Sequence, residues 1–361
     1  MPKFHQLQIR DIRKETEDAV SVSFEIPETL KSAYQFIQGQ YLTLKVEIKG
    51  EEVRRNYSVC VSPLDKELRI AIKQVPFGKF STFANQVLKV GDSLDVMTPM
   101  GRFYSEVKPD NEKEYVAFAG GSGITPVISI LKTVLQTEPK SNFTLFYGNR
   151  GFDSIIFRED IEALKNEFMD RLTVHHVFSE ERLDAPLFNG FISKEKTLQF
   201  ARLLFDPRDI DEYFICGPEP MMLAIREALE TLEVEKSKIH IELFTSPDKK
   251  PGGKKISATE KPSFDPSKAS KVTIRLDGHA IEFPLDYGGM SVLDAALKQG
   301  ADLPYACKGG VCCTCRAKLI EGEVEMDVNY ALEPEEVEAG FILACQSHPR
   351  TEKIVVDFDE K

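Results

Sequence analysis

Four of the seven cysteines lie close together near the end of the chain, in the segment PYACKGGVCCTC at 304–315. Cys307, Cys312 and Cys315 are spaced C-x4-C-x2-C, and Cys345 follows in LACQSHP. Thiolates are ligands for iron and zinc, and in a reducing compartment such a group indicates metal binding rather than a disulfide framework. The odd number of cysteines agrees with this interpretation, because seven thiols cannot all pair in disulfides. The segment therefore predicts a metal centre.

The spacing of these thiols separates two kinds of centre. C-x4-C-x2-C with a distant fourth cysteine is the plant-type pattern for a [2Fe–2S] cluster. A structural zinc site is the alternative, but zinc sites usually pair two C-x2-C units, and one such pair occurs here. Gly309 and Gly310 would let the backbone wrap around the cluster sulfides, and Cys313 is predicted to be a small buried packing residue. The predicted cluster ligands are Cys307, Cys312, Cys315 and Cys345.

An iron–sulfur cluster carries one electron at a time, so the chain is expected to contain an electron source. Two short motifs in its first part suit a flavin. RRNYS, on a predicted strand, supplies a cation, an aromatic ring and a hydroxyl in Arg55, Tyr57 and Ser58. The next motif suits a pyrophosphate, to which it offers backbone amides and hydroxyls; it comprises Gly78, Lys79, Phe80, Ser81 and Thr82. Each motif is weak alone, but their order predicts an FAD site.

A glycine-rich turn follows in FAGGSGITP, between a predicted strand and a predicted helix. Its glycines would bring the backbone and the helix N-terminus up to a diphosphate. The turn departs from G-x-G-x-x-G at its last position and lacks the G-K-[ST] of a P-loop. A plain strand–helix turn is the alternative. The predicted nucleotide contacts are Gly120, Gly121, Ser122, Gly123, Thr125 and Pro126.

Two arginines bear on which nucleotide binds. Arg150 ends the second strand of this region in YGNR, where an acidic residue is usual for the ribose of NAD. A cation at that place fits a 2′-phosphate, and Arg158 is a second candidate. An arginine at a strand end is often only a solvated charge. The sequence favours NADPH, with NADH as the alternative.

The elements that must position these residues fall into three units. Residues 1–105 alternate apolar and polar residues in short runs, which predicts an antiparallel β-barrel. Residues 106–245 alternate strands and helices, including a helix predicted over 153–168, which indicates a doubly wound α/β domain with a parallel sheet. Residues 246–270 are rich in Pro, Gly, Ser and Lys and are predicted to be a linker. Residues 271–361 form a third, α+β unit.

Composition narrows the class of protein. With 361 residues and 42% hydrophobic residues, the chain is long enough for two or three domains with real cores. The net charge of −12 argues against a nucleic-acid partner, which needs basic patches. The N-terminus has no apolar signal region, and no run is long enough to span a bilayer. We expect a cytoplasmic protein without a membrane partner.

The first 245 residues resemble the ferredoxin–NADP reductase family, in the motifs R-x-Y-S, G-x-x-S, GGSGITP and CGPEPMM. The resemblance implies a strand end beside the nicotinamide, formed by Cys216, Gly217 and Pro218. A buried strand residue is the alternative reading of Cys216. Phe244 would cover the flavin face, where tyrosine is commoner in the family. The resemblance also implies that the side chains nearest the reacting rings are Ser58, Cys216 and Glu242.

The order flavin, nucleotide, ferredoxin resembles the reductase components of bacterial oxygenases, and implies a plant-type, β-grasp ferredoxin domain at 271–361. The segment Tyr305–Pro349 is very similar to the cluster region of reductase subunits of phenylacetyl-CoA epoxidases. The resemblance implies electron transfer from NADPH through FAD and [2Fe–2S] to a multi-subunit di-iron oxygenase of phenylacetate degradation. Alternatives are the reductase of another ring or steroid hydroxylase, a stand-alone NAD(P)H:acceptor reductase and a redox sensor.

Overall fold

A computed structural model describes residues 3–244 and 268–360. The chain divides into two compact units, one formed by Lys3–Phe244 and one whose described residues are 268–360. Within the described residues, no helix combines the length and the apolarity that a bilayer-spanning segment needs.

The first unit begins with the predicted antiparallel barrel. Its strands are β1 (Phe4–Thr16), β2 (Ala19–Glu25), β3 (Tyr41–Ile48), β4 (Glu51–Ser58), β5 (Leu68–Lys73) and β6 (Ser93–Met97). They pair in the order β4-β3-β6-β1-β2-β5, and a bridge from Val59 to Ile70 joins the two edges. Apolar side chains alternate into one core, and helix α1 (Lys79–Gln86) adds Phe80 and Ala84 to it. A 3₁₀ turn spans Glu28–Leu30.

The same unit continues into a parallel sheet with helices on both faces, as predicted. Its strands are β7 (Glu114–Gly120), β8 (Asn142–Asn149), β9 (Leu172–Phe178), β10 (Glu212–Gly217) and β11 (Ile239–Leu243). The helices are α2 (Ile124–Thr137), α3 (Arg158–Glu167), α4 (Lys194–Leu203) and α5 (Glu219–Thr231). The order β11-β10-β7-β8-β9 puts the reversal of winding between β7 and β10, where such sheets bind ligands. Short 3₁₀ turns span Gly121–Gly123, Phe152–Ser154, Pro186–Phe188 and Lys236–Lys238.

Helix α3 begins later than predicted. The predicted helix starts at Asp153, but residues 152–154 form a 3₁₀ turn and α3 starts at Arg158. Between them, Ile155 and Ile156 are buried in the core beneath β7 and β8. Phe157 then adopts a left-handed conformation with φ 61°. The chain must turn sharply to bury the two isoleucines, and this turn delays the helix.

Polar contacts join the barrel to α2 within this unit. Ser129 Oγ donates to the Val61 carbonyl oxygen at 2.6 Å, and Lys132 Nζ lies 2.8 Å from Asp65 Oδ2. At the end of α2, the fully buried Glu138 carboxylate accepts hydrogen bonds from Lys108 N, Asn111 Nδ2, Tyr115 OH and Ser141 Oγ. These contacts fix the direction of α2, whose N-terminus lies at the glycine-rich turn of residues 120–123.

The second unit has the predicted β-grasp architecture. Its strands are β12 (Ala269–Leu276), β13 (His279–Asp286), β14 (Arg316–Glu321), β15 (Val324–Met326), β16 (Phe341–Leu343), β17 (Ser347–Pro349) and β18 (Lys353–Asp357). The main sheet runs β13-β12-β18-β14-β16, with β12 parallel to β18, and β15 pairs with β17. Helices are α6 (Val292–Lys298), which packs into the core, and α7 (Pro334–Glu338), and a 3₁₀ turn spans Cys313–Cys315. Of the predicted linker, residues 246–267 lie outside the described residues, and β12 begins at Ala269.

Candidate functional site

The end of β4 presents the R-x-Y-S side chains. Ser58 is buried, and its Oγ has no hydrogen-bond partner among the described residues. Tyr57 is half-buried and packs on Phe80 with ring centroids 5.4 Å apart. Burial raises the pKa of Tyr57, so the phenol stays neutral. Arg55 Nη1 donates to the Arg54 carbonyl oxygen at 2.7 Å. The buried, unused hydroxyl fits a hydrogen-bonding ligand such as a flavin ring.

The second flavin motif forms a tight turn and the first turn of α1. Gly78 N donates to the Val75 carbonyl oxygen at 3.0 Å, and Val75 N donates to Ser81 Oγ at 3.2 Å. A Cβ on Gly78 would lie 2.3 Å from Ser81 Oγ, so a larger residue would displace the Ser81 side chain from this turn. Phe80 points into the barrel core, and Lys79 Nζ contacts Glu51 Oε2 at 2.6 Å. The turn leaves backbone amides at a helix N-terminus, which suits a pyrophosphate.

The glycine-rich turn of residues 120–123, named the nucleotide loop after its predicted ligand, lies where the carboxyl ends of β7 and β10 approach each other. A Cβ on Gly123 would lie 2.1 Å from the Cys216 carbonyl oxygen, and one on Gly217 would lie 3.0 Å from Gly120 Cα. Gly121 has a left-handed φ of 53°, and its carbonyl accepts a hydrogen bond from Tyr147 OH at 3.0 Å. The glycines are thus needed for close backbone packing. This packing brings the N-terminus of α2 to the edge of the sheet.

Three other predicted residues belong to this loop and to the first turn of α2. Thr125 Oγ1 donates to the Ser122 carbonyl oxygen at 3.0 Å, which closes the turn. Pro126 is buried in the first turn of α2, where its missing N–H is tolerated. The loop therefore keeps a fixed backbone although proline replaces the usual third glycine.

Cys216 and Glu242 are neighbours across β10 and β11. They are paired in the parallel register, and Cys216 is fully buried. Burial raises the pKa of the Cys216 thiol well above its usual value, and the Glu242 charge adds to the effect, so Cys216 stays a neutral thiol. Pro218 lies over Gly120, 2.6 Å from the place of a Cβ there. Phe244 follows β11 and is 41% exposed.

The two predicted phosphate-binding arginines have different surroundings. Arg150 Nη2 lies 3.2 Å from Asp18 Oδ2, and the arginine side chain is 57% exposed. The Arg158 guanidinium lies over the Phe152 ring, 4.4 Å from its centroid. Sequence reasoning did not find Asp18, nor Lys73, whose Nζ lies 3.8 Å from the place of a Cβ on Gly121. Neither residue belongs to a recognisable motif, and the fold alone brings them to the nucleotide loop.

The four predicted cluster thiols form two pairs. Cys312 Sγ donates to Cys307 Sγ at 3.1 Å, and the Cys315 thiol hydrogen-bonds to Cys345. All four are buried. Within the described residues, no three His, Cys, Asp or Glu side chains gather into a site for a single metal ion. Two pairs of thiols fit two irons better than one tetrahedral zinc.

Within each pair, the hydrogen bond lowers the pKa of one thiol and raises that of the other. The hydrogen bond from Cys312, helped by the amides of Gly309 and Val311, lowers the pKa of Cys307 to about 7. The pKa of Cys345 is also lowered, by the hydrogen bond from Cys315 and by Gln346 Nε2, which lies 3.4 Å from Cys345 Sγ. The donors of these bonds, Cys312 and Cys315, have a raised pKa because they give up their hydrogen bond on ionisation and are buried. Each pair therefore holds one thiol that ionises readily and one that does not.

The loop that carries the cysteines is held by its neighbours. Gly310 has a φ of 74°, and a Cβ there would lie 2.9 Å from Val328 Cγ2. Gln346 Nε2 donates to the Lys308 carbonyl oxygen at 3.0 Å. Cys313 is half-buried, and its Sγ donates to the Ala331 carbonyl oxygen at 3.2 Å. The Cys313 thiol thus makes its hydrogen bond outside the two pairs of cluster thiols.

Comparison with protein-family models identifies three cofactor domains. Residues 6–104 match an oxidoreductase FAD-binding domain, and residues 118–254 match an oxidoreductase NAD-binding domain. Residues 274–350 match a 2Fe-2S iron-sulfur cluster binding domain. The glycine turns, the unused Ser58 hydroxyl and the paired thiols fit these groups. The cofactors are therefore FAD, NAD(P)H and a [2Fe–2S] cluster.

Relatives match the chain from end to end. It is 44% identical over 361 residues to one of the subunits of the 1,2-phenylacetyl-CoA epoxidase of Escherichia coli K12, covering 100% of this chain and 99% of that one. It is 32% identical over 356 residues to the ferredoxin reductase component of 3-ketosteroid-9-alpha-monooxygenase of Rhodococcus rhodochrous, covering 98% and 96%. The solved structure of phthalate dioxygenase reductase shares the fold, with a TM-score of 0.56, 21% identity and 98% of each chain covered. The chain belongs to the ferredoxin–NADP reductase family, among the members that carry a [2Fe–2S] ferredoxin domain on the same chain.

Proposed function

We propose that the chain is the NADPH-dependent reductase component of a multi-subunit di-iron oxygenase, and that this oxygenase is a phenylacetyl-CoA epoxidase of phenylacetate degradation. The observation that carries the proposal is the 44% identity to the Escherichia coli epoxidase subunit, which spans 100% of this chain. When bound, the three groups would supply hydride donation by NADPH, division of the electron pair at FAD and one-electron transfer at the [2Fe–2S] cluster.

The barrel residues hold and orient the flavin. The buried Ser58 hydroxyl can hydrogen-bond the edge of the flavin ring, and Tyr57 can pack on its face. Arg55 supplies positive charge for the FAD phosphates. The backbone of Gly78 to Thr82, with the Lys79 cation, surrounds the pyrophosphate. Phe244 offers an exposed ring that can cover the flavin from the nucleotide side.

The sheet edge holds the nucleotide. Gly120, Gly121, Ser122 and Gly123, with Thr125 and Pro126 behind them, present the N-terminus of α2 to the diphosphate. Arg150 pairs with the 2′-phosphate, with Arg158 as a second cation. The neutral Cys216 thiol and the Glu242 carboxylate line the nicotinamide pocket, next to the backbone of Gly217 and Pro218. A neutral thiol there leaves the pocket without a second negative charge.

In the ferredoxin domain, Cys307 and Cys312 would hold one iron of the cluster, and Cys315 and Cys345 would hold the other. The pairing of the four buried thiols supports this assignment. Cys313 is not a cluster ligand in this proposal, because its thiol donates a hydrogen bond to the Ala331 carbonyl oxygen.

We also propose domain boundaries and a compartment. The flavin barrel spans 1–105, the nucleotide domain 106–245, the linker 246–270 and the ferredoxin domain 271–361. The family matches at 6–104, 118–254 and 274–350 support this division. The protein works in the cytoplasm, which is supported by seven free cysteines, since that compartment keeps thiols reduced.

Native co-purification tests the oxygenase partner. The tagged full-length chain, isolated from its own cells, should retain the subunits of a di-iron epoxidase. The reconstituted mixture should consume phenylacetyl-CoA with NADPH, and the same mixture with Cys312→Ser should not. Reduction of ferricyanide by NADPH reports the flavin alone and should survive in that variant. A complex that retains no oxygenase, or one that leaves phenylacetyl-CoA untouched, would overturn the epoxidase assignment and leave the reductase chemistry standing.

A second candidate partner is a steroid monooxygenase. It is favoured by the 32% identity to the Rhodococcus reductase component, which covers 98% of this chain. The same reconstitution with a 3-ketosteroid substrate separates the two. Turnover of the steroid and not of phenylacetyl-CoA would select the second candidate.

A further inference from the structure

The Asp18 carboxylate lies between two cations, Arg150 and Lys73, beside the nucleotide loop of the first unit. Its Oδ2 is 3.2 Å from Arg150 Nη2 and 3.7 Å from Lys73 Nζ. Asp18 lies in the turn between β1 and β2, Lys73 ends β5, and Arg150 follows β8. Three elements that are distant in sequence thus meet around a single carboxylate oxygen.

Asp18 is held in place by contacts within the barrel. Thr16 Oγ1 donates to Asp18 Oδ1 at 2.8 Å, and Gln74 N donates to the Asp18 carbonyl oxygen at 2.6 Å. Thr16 is itself buried. The first hydrogen bond occupies Oδ1 and directs Oδ2 at the cations. A carboxylate fixed in this way loses little conformational entropy in its ion pairs, unlike most exposed charges.

Both cations border the loop proposed to hold the dinucleotide phosphates. Lys73 Nζ lies 3.8 Å from the place of a Cβ on Gly121. Arg150 directly follows β8. Tyr147, which is on β8, donates a hydrogen bond to the Gly121 carbonyl oxygen at 3.0 Å. Lysine and arginine side chains at such a loop are the usual partners of phosphate. The Asp18 carboxylate therefore makes the contacts that a nucleotide phosphate would make.

We propose that Asp18 is a specificity-determining residue whose carboxylate competes with nucleotide phosphates for Arg150 and Lys73. This inference rests on the proposed nucleotide site. The 2′-phosphate of NADP(H) carries close to two negative charges at neutral pH, so repulsion by Asp18 falls most heavily on that nucleotide. Removal of the charge should therefore tighten NADP(H) more than NAD(H). The ion pair of Asp18 with Arg150 also joins the barrel to the nucleotide domain. When a 2′-phosphate binds Arg150, this contact between the domains is replaced by a contact with the ligand.

The test is Asp18→Asn in the full chain loaded with FAD and cluster. Asparagine keeps the size of the side chain and an oxygen for Thr16, and removes the charge. Calorimetric titration at low ionic strength should show NADP⁺ and 2′,5′-ADP binding about threefold to tenfold tighter, and NAD⁺ changing less. The gain should shrink as salt is added. Glu17→Gln, a change of charge at the exposed neighbouring position, is the control and should leave all three affinities within about twofold.

A double-mutant cycle assigns the effect to the ion pair. In an Arg150→Ala background, Asp18→Asn should tighten NADP⁺ much less, because the main cation is gone. Unchanged or weaker NADP⁺ binding in Asp18→Asn, with normal FAD content and Tm, would overturn the role of Asp18. If that variant loses FAD, Asp18→Ser provides the same comparison. An Arg150→Ala variant that binds NADP⁺ normally would overturn the nucleotide site itself and this inference with it.

Discussion

The substitution Gly123→Ala should strongly slow the reduction of FAD by NADPH while leaving the FAD bound. The Cβ of the new residue would lie 2.1 Å from the Cys216 carbonyl oxygen and 2.8 Å from Gly217 N. Ordinary contacts begin at 3.4 Å, so the start of α2 and the end of β10 would have to separate by about 1.3 Å. Both neighbours are backbone atoms, so no side-chain rotation can relieve the contact.

The expected size follows from that displacement. Overpacking in a rigid interior costs about 1–3 kcal/mol, and contact with backbone favours the upper end. A misplacement of about 1 Å between reacting groups can lower a rate on the order of 100-fold. We therefore expect Gly123→Ala to fold with lower stability, to keep FAD and iron, and to reduce FAD about 100-fold more slowly at saturating NADPH. Anaerobic stopped-flow bleaching of the flavin absorbance measures this rate.

Gly148 on β8 provides a matched control. A Cβ there would meet Ile192 Cδ1 at 3.3 Å, the far end of a flexible side chain. Gly148→Ala should therefore reduce FAD within about threefold of the parent rate. A Gly123→Ala protein that also stays within that range would show that the close approach of α2 to β10 does not position the nucleotide.

Three further perturbations test other parts of the molecule. Cys312→Ser should remove the cluster but leave flavin reduction by NADPH intact, whereas Cys313→Ala should keep full iron content; equal iron loss in both would refute the ligand assignment. Arg150→Ala should raise the KM for NADPH about tenfold or more, since a charge-assisted contact to phosphate contributes about 1.5–3 kcal/mol, and should hardly affect NADH; equal effects would exclude a contact with the 2′-phosphate. Burial alone would raise the pKa of Glu212, but its hydrogen bonds to His240 and Lys113 leave that pKa lowered, so its contribution to stability is present at neutral pH and lost as pH falls through the folded-state pKa. Glu212→Gln should thus lower the free energy of unfolding by about 1 kcal/mol at pH 7, and this loss should shrink as the pH falls through the lowered pKa of Glu212. Urea titrations at neutral and at acid pH that show equal losses would contradict this.

The sequence by itself was sufficient for the fold class, the three cofactors and the family. The family and the β-grasp domain rest on the resemblance of motifs, and the rest on local spacing, which the covalent chain determines. The intervals between Cys307, Cys312 and Cys315 limit which metal centre they can bind, and β-α alternation requires a parallel sheet whose carboxyl ends share one edge. Such signals are contained within a few residues or within one period of secondary structure, so they can be read without knowing which strands are neighbours.

The tertiary structure alone decided which distant residues meet. The start of α3 at Arg158 depends on the burial of two isoleucines in a core built from other strands. The requirement for glycine at Gly123 depends on β10, which follows much later in the chain and lies next to β7. The meeting of Asp18 with Arg150 depends on how the barrel packs on the sheet. No local pattern encodes these contacts, because strand order and domain packing are set by the burial of the whole apolar surface and not by any single segment.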